Sequence, residues 1–430
     1  MVESLSESHP DMEALARWLS GRMEHDEVLR SIAPHLFSSC PVCQQTAAQL
    51  AKKLDEVGHW DEMVAAVEAR EAEDLLAELD RMPFDEQHCA VRDRDELHTW
   101  GLCQLLLSRS RREALEDPGR AVDAAELAVQ IALQLGPAYD TAWVLDLQAR
   151  AYGCLGNARR VLGELRSAED AFRLAEGQKA LSGTGNLRIE AELLVLKAAL
   201  RRDQRRFGEA LGLIDRAITI YREDPAARDN HLAGRAYLNK AYTLLEMGKP
   251  AQAIPHLRRA AAMVTPEREP RLDLVLHHNL LGSLVQTHLL DEAEALLPSV
   301  HALARKLGSD LDLIRLSWHE ARIRIHRGHF DLAEQLLREV QKQFLERRMG
   351  YDAALVCLDL AILYTQTSRT GALKELAAEV LPILEDRAIH REAIASLLLF
   401  QRACEEERLT LALAHHLANH LSHERRLPTI

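Results

Sequence analysis

Alanine returns at a nearly fixed interval through this 430-residue chain, at Ala168, Ala210, Ala253, Ala293 and Ala333, in steps of 42, 43, 40 and 40 residues. A small side chain at a helix crossing lets two backbones approach, and a larger one would push them apart. Its regular return therefore marks a stacked repeat, each unit burying its apolar face against the next. Apolar segments of helical length alternate with breaks at Asp117-Pro118-Gly119, Gly136-Pro137, Gly183-Thr184-Gly185, Asp224-Pro225, Gly248-Lys249-Pro250, Thr265-Pro266 and Gly308-Ser309. Proline removes a backbone donor and restricts the residue before it, so these breaks separate helices. A less regular helical stretch precedes them, interrupted at Gly58-His59-Trp60-Asp61 and at Met82-Pro83-Phe84-Asp85.

Each copy keeps a small-residue template. The clearest runs Leu155-Gly156, Gly163, Ala168, Phe172, Ala175; others run Phe207, Ala210, Ile214, Ala217, then Ala241, Gly248, Ala253, Leu257, Ala260, then Ala321, Gly328, Phe330, Ala333, Leu337. From Tyr351 the pattern keeps Ala361 and Tyr364 but places Leu373 where the packing alanine belongs. This order resembles the tetratricopeptide repeat, whose period is usually 34 residues, so a period near 40 implies longer helices or loops. The resemblance implies an all-α chain: a right-handed α-solenoid of helix pairs over residues 96–430, closed by a C-terminal capping helix.

Composition agrees with helix throughout. Aromatic residues make up only 4% of the chain, while alanine, leucine, glutamate and arginine dominate. A net charge of −13 argues against extended contact with nucleic acid, whose phosphates demand a basic surface. Seven cysteines form no dense disulfide framework. No apolar run reaches the roughly 18 residues a membrane span needs. The first ten residues lack the basic-then-apolar order of a signal peptide, and the expectation is a cytoplasmic protein.

The amino-terminal 50 residues carry a metal-type motif. Cys40-Pro41-Val42-Cys43 sets two thiolates two residues apart, and His35 lies one helical turn earlier. Zinc takes four such ligands in a tetrahedron. With Leu15-Ala16-Arg17-Trp18-Leu19-Ser20-Gly21 before it, the stretch resembles the zinc-binding domain of bacterial anti-sigma factors, although four residues rather than the usual three separate His35 from Cys40. The resemblance implies a small helical bundle over residues 1–50 holding one structural zinc through His9, His35, Cys40 and Cys43. His25 or water is an alternative fourth ligand, and two buried apolar cysteines are the plainer alternative. Residues 51–95 then read as a helical connector.

In the repeat family the first helix of each pair lines the concave face. Projected onto this chain, that face carries Arg150, Asn157, Arg160, Arg202, Arg235, Asn239, Asn279, Arg315, Trp318 and Arg322. Six arginines there suit an acidic peptide or carboxylate, unless they pair with Glu and Asp of adjacent helices. Trp318 also has a core reading, as do Trp60, Trp100 and Trp143, and Cys103, Cys154, Cys357 and Cys404 fall within apolar helical patterns. Other signals fail on inspection. His319-Glu320 lacks a second histidine at 323, Gly248-Lys249 is followed by Pro250, Gly183-Thr184-Gly185 lacks a third glycine, and His88-Cys89 are adjacent and cannot face each other.

These features point to a non-catalytic scaffold or regulator in a bacterial cytoplasm, binding a protein or peptide and, if the anti-sigma likeness extends to mechanism, a sigma factor. A pure adaptor with a structural zinc cap is the alternative. A helix-turn-helix peptide sensor is disfavoured, because residues 1–50 hold three arginines against seven carboxylates. Elemental analysis of untagged protein should find about one zinc per chain, falling sharply in the Cys40→Ser, Cys43→Ser double variant. Metal-replete protein without zinc would exclude the site.

Overall fold

The left-handed backbone positions of this chain recur in step with its alanines. A computed structural model describes residues 60–384, 398–404 and 409–424, apart from positions 115, 137, 138 and 226, and no strand occurs among the described residues. The chain divides into two compact units, one up to Asn230 and one from His231. The first holds α1 (Trp60–Leu79), α2 (Phe84–Asp93), α3 (Trp100–Glu113), α4 (Pro118–Gln134), α5 (Thr141–Leu162), α6 (Leu165–Ser182), α7 (Leu187–Asp203) and α8 (Phe207–Glu223). The second holds α9 (Asn230–Glu246), α10 (Pro250–Ala261), α11 (Pro270–Gln286), α12 (Leu290–Lys306), α13 (Asp310–His326), α14 (Phe330–Glu346), α15 (Gly350–Gln366), α16 (Thr370–Leu384) and α17 (Leu411–Glu424).

The helices start and stop where local chemistry dictates. Asp117 and Asp140 accept from the first free amides of α4 and α5, and Asn186 and Thr99 cap α7 and α3 in the same way. From α5–α6 to α15–α16, the turn within each pair carries one left-handed residue: Gly163, Arg205, Gly248, His288, Gly328 and Ser368, all with φ between 56° and 93°. The residue after it returns its N–H to a carbonyl five positions back, as Lys249 does to Leu244 at 2.9 Å and Leu289 to Leu284 at 2.9 Å. That is the Schellman closure, and it fixes the angle at which the second helix leaves.

Five residues after each left-handed position sits the packing residue, the fourth of its helix. Ala168, Ala210, Ala253, Ala293 and Ala333 are all fully buried, and Leu373 takes the same place in α16. Ala121, likewise the fourth residue of α4 and fully buried, is a sixth member that the periodicity does not reveal. It lies 47 residues before Ala168, outside the regular step. The period of 40 comes from helix length, since α11 to α15 are each 17 residues long and three-residue turns join them.

The two helices of a pair differ in kind. In α14 the buried residues Ala333, Leu337, Val340, Gln341 and Phe344 form one stripe, whereas burial in α15 runs without a break from Asp352 to Tyr364. A helix packed on more than one side is apolar around most of its girth. The predicted cysteine packing holds for Cys103, Cys154, Cys357 and Cys404, all buried, as is Trp100. Ala72 and Leu79 of α1 join Trp100, Leu107 and Ile131 in one core. Glu68 of α1 also accepts from the Gly101 N–H at 2.7 Å and from the Tyr139 hydroxyl at 2.8 Å. Among the described residues no helix is long and apolar enough to cross a membrane.

Two substitutions test the turn and the crossing. Ser368→Gly should stabilise the second unit by about 0.5–1 kcal/mol, because glycine meets no Cβ penalty in left-handed backbone. Ala253→Leu should destabilise it by about 1–3 kcal/mol through overpacking. Urea unfolding measures both, and a neutral Ala253→Leu would show that the crossing is not tight.

Candidate partner-binding face

Polar side chains on a helix packed from several sides must find partners as they leave water, and most of the predicted groove residues have done so. In the first unit Arg160 is 4% exposed, pairs with Asp203 at 2.6 Å and is braced by the side-chain oxygen of Asn157 at 2.9 Å. Arg202, 3% exposed, lies 3.5 Å from the same Asp203 carboxylate, and Arg150 lies 3.4 Å from Glu192. In the second unit Arg235 pairs with Glu269 at 2.8 Å. Asp359 of α15 accepts from Trp318 Nε1 at 2.6 Å and from Arg322 Nε at 2.7 Å, and the Arg322 guanidinium lies 4.5 Å from the centre of the Trp318 ring.

Three expectations change as a result. Trp318 is 5% exposed with its ring edge-on to Phe344, so it is part of the core and no anchor for a ligand. Arg160 and Arg202 are buried rather than presented to solvent. Five of the six arginines lie beside four intramolecular carboxylates, Arg160 and Arg202 sharing Asp203, which weakens the reason to expect an acidic ligand. Among the described residues Arg315 alone of the six has no ion-pair partner, and its Nε is buried without a hydrogen bond. Asn239 and Asn279 remain half-buried at the same place, the tenth residue of α9 and of α11. Among the described residues their side-chain amides make no hydrogen bond; the carbonyls of these two residues accept from Thr243 and Ser283.

The carboxylates that hold this face were missed by the sequence, although a signal existed. Asp203 lies 43 residues after Arg160 and Asp359 lies 41 after Trp318, about one repeat downstream in each case. Burial alone would raise the carboxyl of Asp312, but the bonds from Ser309 and Arg271 outweigh it and hold it below the usual range. Burial, reinforced by the neighbouring His288 and His415, holds His326 below the ordinary imidazole range.

The discarded motifs have structural roles. The Thr184 hydroxyl donates to Asp146 at 2.7 Å, and His88 bonds Gln130 at 2.7 Å. His9, His35, Cys40 and Cys43 lie outside the described residues. Among the described residues no three His, Cys, Asp or Glu side chains converge as a metal cage.

No protein-family model matches this sequence, and no curated protein matches it. Solved structures do. The chain is similar to the crystal structure of aspartyl phosphate phosphatase F from Bacillus subtilis, with a TM-score of 0.50 and 14% identity over 90% of this chain and 97% of that one. It is also similar to a Rap protein complexed with competence and sporulation factor, with a TM-score of 0.46 and 15% identity over 86% and 97% of the two chains. The likeness to the phosphatase shows the fold, a solenoid of tetratricopeptide-like helix pairs.

Asp359 is the testable centre of the face. Asp359→Ala should destabilise the second unit by about 2–4 kcal/mol, because it strands the indole N–H of Trp318 and the charge of Arg322 in a partly dry site. Denaturation followed by tryptophan fluorescence checks this, and a loss below about 1 kcal/mol would show that Asp359 does not hold the pair.

Proposed function

We propose that this protein is a non-catalytic scaffold or regulator in a bacterial cytoplasm, and that the first helices of its second unit read the main chain of an extended peptide or protein segment. One observation carries this: at the same position of consecutive first helices, Asn239 and Asn279 hold side-chain amides that make no hydrogen bond among the described residues. A carboxamide carries both a donor and an acceptor, which matches the C=O and N–H of an extended backbone whatever its side chains. The paired arginines around it supply rigidity in place of free charge.

The neighbour with this fold is named a phosphatase of aspartyl phosphate, but at 14% identity the likeness carries the fold across and leaves the chemistry behind. A second component rests on the amino-terminal motif. His9, His35, Cys40 and Cys43 would hold a structural zinc in a head like that of the anti-sigma factors, with a sigma factor as the partner to test.

A peptide selected from a random display library on immobilised full-length protein supplies the probe. Asn239→Ala with Asn279→Ala should weaken it about tenfold or more, two net hydrogen bonds being worth roughly 1–3 kcal/mol, while helicity and Tm stay unchanged. Affinity should vary little between low and high salt. Steep salt dependence would restore the acidic-ligand expectation, and unchanged affinity in the double variant would refute the backbone-reading face.

A further inference from the structure

Polar contacts between successive first helices of the second unit follow one register. The ninth residue of α13, Trp318, donates to the tenth residue of α15, Asp359. One repeat earlier the same two places hold His278 of α11 and His319 of α13, whose Nε2 atoms lie 3.3 Å apart. A tryptophan and an aspartate have a fixed donor and a fixed acceptor. Two imidazoles do not: when both are neutral, one must carry its proton on Nε2 and the other must offer a lone pair there. With both protons on Nδ1, the two Nε2 lone pairs face each other across a position that suits a cation.

The geometry suits that second arrangement. The ring centres are 4.9 Å apart and the ring planes meet at 60°, so the imidazoles converge at an angle and do not point head-on. A metal bound to two nitrogens at about 2.0–2.1 Å in a tetrahedron sets those nitrogens roughly 3.3 Å apart. Room for this approach comes from Gly282, one turn after His278. A Cβ there would stand 3.0 Å from Cε1 and 3.3 Å from Nε2 of His319. Asp312, close enough to interact electrostatically with His278, favours a cation, while Arg315, one turn before His319, opposes one.

We propose that His278 and His319 form a two-histidine site for a divalent transition-metal ion of the Zn2+, Ni2+ or Cu2+ class, which bridges α11 and α13. Two protein ligands leave the remaining positions to water, so the site is open and exchangeable, unlike a four-ligand structural centre. Neutral imidazole suits these ions, and copper should bind more tightly than nickel or zinc. Occupancy ties together two helices that carry Asn279 and Arg315, and it stabilises the folded unit in proportion to free metal.

The experiment uses full-length protein carrying Cys40→Ser and Cys43→Ser, which removes the amino-terminal thiolates from the count. Calorimetric titration with Ni2+ and with Cu2+ should show one ion bound per chain and a Tm that rises with metal. His278→Gln and His319→Gln should each weaken binding tenfold or more and abolish the rise in Tm. Gly282→Ala provides a check if either glutamine variant folds poorly, because it crowds the His319 ring while keeping both imidazoles, and it should weaken binding as well. Acidification below about pH 6.5 should release the metal, since the ligands must be neutral. A background protein that binds neither ion, or His278→Gln and His319→Gln proteins that bind as the background does, would overturn the site and leave a simple histidine hydrogen bond.

Discussion

The close crossing of paired helices is the constraint from which the rest of this structure follows. It is made by a fully buried alanine at the fourth position of the second helix, and from Ala168 to Ala333 a left-handed residue five places earlier holds it in register. Glycine does the same work on the first helices, where Gly156 lies against the ring of Phe172 and Gly153 against Leu193, so closely that a Cβ would meet them at 3.0 and 2.4 Å. Helices this close exclude water from their shared surface and present their remaining apolar residues to the next pair. Three of the left-handed positions are held by Arg205, His288 and Ser368, which tolerate the conformation at some cost because the turn hydrogen bonds and the packing around them demand it.

Burial of the first helices then governs their polar residues. A charge taken out of water needs a partner, and the carboxylates Asp203 and Asp359 supply it from the following repeat. The pairs are in effect fastenings between repeats. Asn239 and Asn279 add side-chain amides to these helices, and the His278–His319 pair adds imidazole chemistry at the same depth. The first helices thus carry the fastenings on which the stability of the array depends.

Likeness of fold at 14% identity shows how little of this depends on particular side chains. Small residues at crossings and compact turns suffice to build the architecture, while the residues that face solvent are free to diverge.

The alternation of helices and breaks was legible in the sequence because it depends on local chemistry. Pro118, Pro250 and Gly308 mark helix boundaries in the structure as they do in the string of residues, and the alanine interval placed five of the six buried crossings. Ala121 escaped because the interval before Ala168 is longer, and interval was the only signal available. The face was legible as a list of residues but not as chemistry. Arg160 and Asp203, Trp318 and Asp359, His278 and His319 are each 41 to 43 residues apart, and no local pattern says whether such residues touch. Sequence alone determined that the chain would be paired helices, since hydrophobic period, small residues and breakers act over a few residues. Only the stacking of one pair on the next decided which arginines are neutralised, that Trp318 is core, and that two imidazoles meet, because those outcomes depend on distances across a repeat that only packing sets.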